Sequence, residues 1–264
     1  MEEIHYLLGN ACNLDCDFCF WNTRTTDTSL EFKKSIIDQI VDSGIQRVTL
    51  SGGDPLTSSS FVEILEYMKE KGLDTILHTN GLLINEGLAK KITPYISRIS
   101  LTMDAIDTNI QLLMRKTDKI TGHTINLIKL FSNLGVDVNI KTLISQVNKN
   151  EIEQIGEILR ELPIKYWALL EFTPLNRGKI NEKRFYLPRA EFDDISNAIK
   201  IKFSSLEVRI NKFSEKKKKY CFISANGDIY TCINNMDILV GNINMSDLKS
   251  VIKKIEYEPN ISCR

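Results

Sequence analysis

Cys12, Cys16 and Cys19 stand in the run Cys-Asn-Leu-Asp-Cys-Asp-Phe-Cys, just after the apolar segment Ile4 to Leu8. Three thiolates spaced C-x3-C-x2-C can share one iron–sulfur cluster, and a three-ligand site leaves one iron without a protein ligand. An open iron binds a substrate or cofactor, so the spacing points to chemistry rather than to a structural staple. A zinc site or three buried thiols would use the same residues. Structural zinc takes four ligands, however, and no fourth Cys or His is adjacent. His5 falls inside the preceding apolar run and reads as a half-buried strand histidine.

The elements that must position this triplet follow from periodicity. Ile4–Leu8, Arg47–Leu50, Thr75–Thr79, Arg98–Thr102, Val136–Ile144 and Trp167–Phe172 read as strands. Between them Leu30–Val41, Phe61–Lys71, Glu86–Ile92, Ile120–Leu134 and Ile152–Leu162 read as helices. Leu30, Ile36, Ile37, Ile40 and Val41 make one apolar stripe. Thr28 with Glu31 and Ser60 with Glu63 fit capping boxes, Gly44, Gly72 and Gly135 fit helix stops, and Asn148 fits a cap for the helix that follows it. A strand–helix unit repeated about six times predicts a parallel sheet with helices on its outer side and a site at the C-terminal strand ends. The cysteine loop follows the first strand and so falls on that face. On the fifth strand Lys141, Thr142 and Ser145 alternate with apolar residues, which turns some of them to the mouth.

The pattern then changes. Arg189–Phe203 reads as a helix, Glu207–Ile210 as a short strand, and Asn226-Gly227 as the turn of a hairpin bracketed by Cys221 and Cys232. These features predict a barrel-like unit over residues 1–204 and a small appendage over 205–264.

The bulk numbers bound the function. A chain of 264 residues, 42% hydrophobic, can bury a large core in one domain or one domain plus a small appendage. Formal net charge is zero, so no global field argues for nucleic acid or a membrane surface. The basic run Lys216 to Lys219 reads as a solvated loop. No apolar stretch reaches 18 residues and the N-terminus lacks a signal peptide's pattern, so the six cysteines are read as cytoplasmic, as metal ligands or reactive thiols.

The motif C-x3-C-x-aromatic-C, with Phe18 as the aromatic, resembles that of the radical S-adenosylmethionine (SAM) superfamily. The resemblance implies a partial (β/α)6 TIM-like barrel, a [4Fe–4S] cluster on Cys12, Cys16 and Cys19, and SAM chelating the fourth iron. It further implies reductive cleavage of SAM to a 5′-deoxyadenosyl radical that abstracts a substrate hydrogen, with a flavodoxin- or ferredoxin-type electron donor. Ser51-Gly52-Gly53-Asp54-Pro55 at the second strand end is similar to the family's Gly-Gly-Glu-Pro, with Asp54 one carbon shorter, and would hold the amino group of SAM. His78-Thr79-Asn80-Gly81 resembles the family's Thr-Asn-Gly. Thr102-Met103-Asp104 resembles the Ser-x-Asp near the SAM ribose, and Arg115 is placed to meet the SAM carboxylate. Taken singly, these residues would also serve as a turn, a strand end, a helix cap and a surface cation. The resemblance spans about residues 4 to 175. Leu101 to Asp107 and the apolar run after Gly135 are similar to the molybdenum-cofactor cyclase and its peptide-modifying relatives. Cys19-Phe20, Lys165-Tyr-Trp167 and the Cys221–Cys232 hairpin are similar to the viperin-like branch.

The hairpin cysteines also resemble the short auxiliary-cluster segment, often called twitch, of this superfamily. Cys221, Cys232 and Cys263 would then bind a second [4Fe–4S] cluster with three thiolates; plain buried thiols are the alternative. Glu171 and Arg177, near the end of the sixth strand, are candidates for substrate contact, with a solvated loop as the alternative for Arg177. Three function classes stay open: an enzyme acting on a small molecule or nucleotide, a maturase of a ribosomally made peptide, and a non-catalytic iron–sulfur or zinc module. The chain starts almost at the cysteine motif, which argues against an N-terminal leader-peptide domain. Motifs in order at successive strand ends argue against a passive module.

Overall fold

The fold is that of a computed structural model, which describes residues 1–20, 27–212, 220–233 and 236–257; for residues 232, 233 and 236 it describes the backbone alone. The basic run at 216–219 and Cys263 lie outside the described residues.

The first strand, β1 (Glu3–Gly9), shows how the sheet is built. Ile4, Tyr6 and Leu8 are buried on one face, and Glu3, His5 and Leu7 are partly open on the other, as period-two alternation requires. The chain continues through α1 (Leu30–Asp42), β2 (Arg47–Gly52), α2 (Phe61–Glu70), β3 (Asp74–His78), α3 (Glu86–Ile92), β4 (Arg98–Thr102), α4 (Thr108–Arg115), α5 (Ile120–Asn133), β5 (Asp137–Ile144), α6 (Ile152–Leu159) and β6 (Tyr166–Glu171). Two short helices, α7 (Arg177–Ile180) and α8 (Glu182–Phe185), precede α9 (Arg189–Lys202) and β7 (Val208–Asn211). Then come β8 (Cys221–Ile223), β9 (Asp228–Ile233), β10 (Met236–Asn242) and α10 (Leu248–Tyr257).

All ten strands join one open sheet in the order β10-β9-β8-β1-β2-β3-β4-β5-β6-β7. From β1 to β7 each neighbour is parallel, and the arc does not close: this is a partial TIM barrel. The strand read at Glu207–Ile210 forms one residue later and pairs parallel with β6, so it continues the arc. On the opposite edge β8 pairs parallel with β1, and β9 and β10 follow antiparallel.

The helices bury their apolar stripes on the outer face of the arc. Ile36, Ile37 and Ile40 of α1 meet Ile4, Tyr6, Val48 and Leu50 in one core that also takes in Ile64, Leu65 and Met68 of α2. Burying each such side chain stabilises the fold by about 1.5–3 kcal/mol before entropy is counted. The C-terminal segment joins the same core through Leu248, Val251, Ile252 and Ile255. Gln39 of α1 fixes it further, donating to Ile243 O at 2.9 Å and accepting from Leu248 N at 3.3 Å.

Local signals were modified by tertiary contacts. Gly44, Gly72 and Gly135 do take positive φ (87°, 78° and 80°) at helix ends. The cap of α1 is Ser29, which accepts from Phe32 N, rather than Thr28. Ser60 precedes α2 but makes no capping bond; its hydroxyl serves Lys33 instead. Asn148 does not cap the next helix. Its side chain joins two strand ends, donating to Asp104 O (2.7 Å) and Leu143 O (2.6 Å) and accepting from Ser145 N (2.8 Å). Thr142 faces the core side, donating to Met103 O and accepting from Trp167 Nε1, and Ser145 is fully buried. Helix α4 was not anticipated: Leu112 and Leu113 are both exposed, so its sequence carries no clean stripe, and the readable signal was Asp107, whose carboxylate caps Asn109 N and Ile110 N.

Candidate active site

The cysteine loop begins where β1 ends, and β2 grips its first turn. Gly53 N donates to Gly9 O at 2.9 Å, Asp54 N to Ala11 O at 2.8 Å, and Thr57 Oγ1 to Ala11 O at 3.0 Å. A Cβ on Gly52 would lie 2.1 Å from Gly9 O, and one on Gly53 2.1 Å from Ala11 O. Gly52 also takes φ of 139°. The lack of side chains at these two positions admits the end of β1 at Gly9 and the start of the cysteine loop at Ala11.

Asp54 is a peg between strands. It is 1% exposed; Oδ1 accepts from Leu56 N (3.2 Å) and Oδ2 from Thr79 Oγ1 (2.8 Å) and Asn80 N (2.9 Å). Burial pushes its pKa up, against those three donors. Asn80 then crosses to the cysteine loop, Nδ2 donating to Asn13 Oδ1 at 2.8 Å.

The end of β4 serves the same loop. Asp104 Oδ1 accepts from Leu143 N, and Oδ2 accepts from Arg115 Nε and Nη2, each at 2.5 Å. The remaining nitrogen, Nη1, lies 3.8 Å from Cys16 Sγ, and the guanidinium sits 4.7 Å over the Phe18 ring. Thr102 sits across from Lys141 in the β4–β5 register and turns to the inner wall. Its hydroxyl is buried and has no hydrogen-bond partner among the described residues.

The loop after β6 closes over the cysteines from the far side. Gly178 N donates to Cys19 O at 3.1 Å, Asn176 Nδ2 to Phe20 O at 2.5 Å and Asn181 Nδ2 to Asp17 O at 3.2 Å. Arg177 pairs with Asp15, and Arg184 with Asp17. Arg177 therefore ties α7 to the cysteine loop through Asp15, a contact with no local sign in the sequence. Glu171 ends β6 beside Ile144 of β5.

Two of the three thiols, Cys12 and Cys16, are shifted by their surroundings. Burial pushes Cys12 up to about 11, opposed by the Leu14 N–H and reinforced by Asp54, Cys16 and Cys19. Burial also raises Cys16, and the Arg115 guanidinium pulls it back toward the thiolate that binds metal. Cys221 differs. It is fully buried in the main apolar core, where burial pushes its thiol up to about 12. It lies opposite Thr231 in the hairpin register, whereas Cys232 lies opposite Asp237.

Below the cysteine loop the inner wall carries groups the sequence reading did not assemble. Lys141 Nζ lies 3.1 and 3.2 Å from the two ring nitrogens of His78. The His5 ring stands 6.1 Å from His78 and 6.4 Å from Tyr220, whose hydroxyl donates to Asp237 Oδ1. Strand alternation at positions 5, 78 and 141 was the available signal.

A sequence model of the radical SAM superfamily matches residues 6–162. The chain belongs to the radical SAM superfamily. Among relatives of this radical SAM enzyme, a probable GTP 3',8-cyclase of Saccharolobus islandicus is 28% identical, with 83% of this chain and 67% of the relative covered. An S-adenosylmethionine-dependent nucleotide dehydratase of Flammeovirga pacifica is 22% identical, with 75% and 72% covered. Streptococcus suis SuiB, solved bound to S-adenosylmethionine, shares the fold with a TM-score of 0.77 at 17% identity. That match covers 98% of this chain and 66% of SuiB, so the chain spans just under two thirds of that protein's length. Among the described residues no helix is long and apolar enough to cross a membrane.

The family implies a [4Fe–4S] cluster and SAM, and the donor types suit both, although among the described residues no three His, Cys, Asp or Glu side chains are gathered around a single metal-ion position. Cys12, Cys16 and Cys19 share one braced loop at the C-terminal strand ends, with a guanidinium beside the middle thiol. The orphaned Thr102 hydroxyl is a buried polar atom that a ligand on this wall would satisfy. A second cluster on the hairpin fits less well, because Cys221 is embedded among apolar side chains.

Proposed function

We propose that this radical SAM enzyme holds a [4Fe–4S] cluster on Cys12, Cys16 and Cys19 and acts on a small molecule or nucleotide, in cofactor-type or natural-product biosynthesis. Cys12, Cys16 and Cys19 would hold the cluster, which would supply the one-electron reduction, fed by a flavodoxin- or ferredoxin-type donor, needed to cleave SAM reductively for abstraction of a substrate hydrogen. The observation that carries the reading is the shared face: the cysteine loop caps the strand ends, and the buried, unpartnered Thr102 hydroxyl lies beside Lys141, which reaches His78 next to His5.

The chain's own residues supply position. The carbonyls around Gly53 offer acceptors for the SAM ammonium, since the Asp54 carboxylate is taken up by Leu56, Thr79 and Asn80. Thr102 offers a hydroxyl to the ribose. Lys141 and the imidazoles of His78 and His5 provide polar donors for an anionic or heteroatom-rich substrate. Relatives named as a GTP cyclase and a nucleotide dehydratase agree with a nucleotide-sized substrate.

A peptide substrate is the second reading, favoured by the fold match to SuiB, which was also solved bound to precursor peptide SuiA. One experiment separates the two. Reduced, reconstituted protein is given SAM and either nucleoside triphosphates or peptides, each deuterated at carbon-bound positions. Deuterium transfer into 5′-deoxyadenosine from a nucleotide supports the first reading. Transfer from a peptide alone replaces it with the second, and the absence of 5′-deoxyadenosine under all conditions removes both. A Cys16→Ala variant is expected to lose the brown colour and SAM cleavage together.

A further inference from the structure

We propose that Arg115 is a charged hydrogen-bond donor to the Cys16 sulfur and thereby sets the reduction potential of the cluster that Cys16 helps to hold. The inference rests on the cluster assignment above and goes beyond it, since the resemblance placed Arg115 against the SAM carboxylate.

The geometry fixes the guanidinium from three sides. Asp104 Oδ2 takes Nε and Nη2, each at 2.5 Å, which leaves Nη1 as the outward nitrogen, 3.8 Å from Cys16 Sγ. Asp104 is itself immobilised: it is 2% exposed, its second oxygen accepts from Leu143 N at 2.8 Å, and its carbonyl accepts from Asn148 Nδ2 at 2.7 Å. Beneath the guanidinium the Phe18 ring lies at 4.7 Å and is packed edge-on against Phe185 at 5.6 Å. Phe185 belongs to a separate apolar cluster with Met114 and Phe172. The sulfur end is equally dry, Cys16 being 5% exposed.

A donor fixed on a cluster sulfur acts in one direction. One-electron reduction adds negative charge that is shared by the iron and its thiolates, so a cationic N–H aimed at one thiolate stabilises the reduced form more than the oxidised form. The low dielectric around Phe18 and Cys16 strengthens the effect. Asp104 is the positioning residue, because it decides which guanidinium edge meets the sulfur.

The test is an electron-paramagnetic-resonance redox titration of the full, anaerobically reconstituted chain in the absence of SAM, with dithionite as reductant. Arg115→Met is expected to lower the reduced-to-oxidised ratio at the wild-type midpoint about tenfold, which is ~59 mV for a one-electron couple. Arg115→Lys keeps the charge but loses the fork, and should fall between the two. If Arg115→Met fails to load iron, the Asp104→Asn/Arg115→Met pair, which leaves no unpaired buried carboxylate, is titrated in its place, with a smaller shift of the same sign expected because the Asp104 charge is lost as well. An unmoved midpoint in SAM-free protein, with only SAM affinity weakened, would overturn the inference and return Arg115 to the SAM carboxylate. A wild-type chain that assembles no cluster would overturn this inference together with the cluster assignment.

Discussion

Lys33, fully buried on α1, places its ammonium 2.6 Å from Asp27 Oδ1, at the end of the loop that begins with the cysteines. The same nitrogen donates to Ser58 Oγ and Ser60 Oγ, both at 2.8 Å, and Asp27 Oδ2 accepts from Ser59 N at 3.1 Å. One cation thus ties the returning stem of the cysteine loop to the segment that follows Asp54. Lys33→Met strips Asp27 and two serines of their donor. The Asp27 carboxylate can then turn to water, so this change is expected to cost about 1–2 kcal/mol, from the buried serines. Asp27→Asn leaves the Lys33 ammonium buried without a counter-charge and should cost more, about 3 kcal/mol. Urea unfolding of the two variants against wild type checks the order, and equal midpoints would show that the pair holds nothing together.

Gly53→Ala should damage the cysteine loop before it damages the barrel. The added Cβ falls 2.1 Å from Ala11 O, and backbone has to give way. Expected results are near-normal far-UV circular dichroism and iron binding reduced by more than half. Gly122, whose added Cβ meets nothing within 4 Å, is the control: Gly122→Ala should bind iron as wild type does.

His78 makes stability depend on pH. Burial holds its pKa well below the ordinary value, and Lys141, His5 and Arg98 push the same way. The unfolded chain therefore binds more protons at this position than the folded chain does at acid pH. By linkage the neutral imidazole contributes its full stability above an unfolded pKa of about 6.5 and loses it as pH falls from there toward the folded pKa. The slope from this one group approaches about 1.4 kcal/mol per pH unit. Unfolding free energies measured at pH 7.5 and 5.5 should diverge for wild type and draw closer in His78→Gln; an unchanged difference would remove His78 as the source.

Iron counting bears on the hairpin cysteines. With Cys221 sealed in the core, about four irons per reconstituted chain are expected, from one cluster. Cys221→Ala should keep that iron and lose about 1 kcal/mol of stability through a small cavity. About eight irons, with the loss of half in Cys221→Ala, would instead support a second cluster.

The elements were legible because apolar period reports local geometry. The strand at Arg98–Thr102 and the helix at Glu86–Ile92 form at the residues read from the sequence. What sequence leaves out is pairing between distant segments. Glu207–Ile210 reads as a strand, yet nothing local says that the strand formed there, Val208–Asn211, extends the arc beside Trp167. Arg177 looks like a loop cation until the fold brings Asp15 to it from the other end of the chain. Asp54 shows the same limit at finer scale. Its type and place marked a binding motif, but its hydrogen bonds to Thr79 and Asn80 depend on the next strand end. Lys33 is a further case, because no pattern in α1 announces a buried cation.

The cysteine loop hangs between β2 on one side and the segment after β6 on the other, through Asp54 N to Ala11 O and Gly178 N to Cys19 O. Those anchors sit far apart along an arc of strands whose ends are not stitched to each other. The loop therefore spans the arc as a string spans a bow. The loop thus links, across the C-terminal strand ends, segments of the open sheet that no strand pairing joins directly.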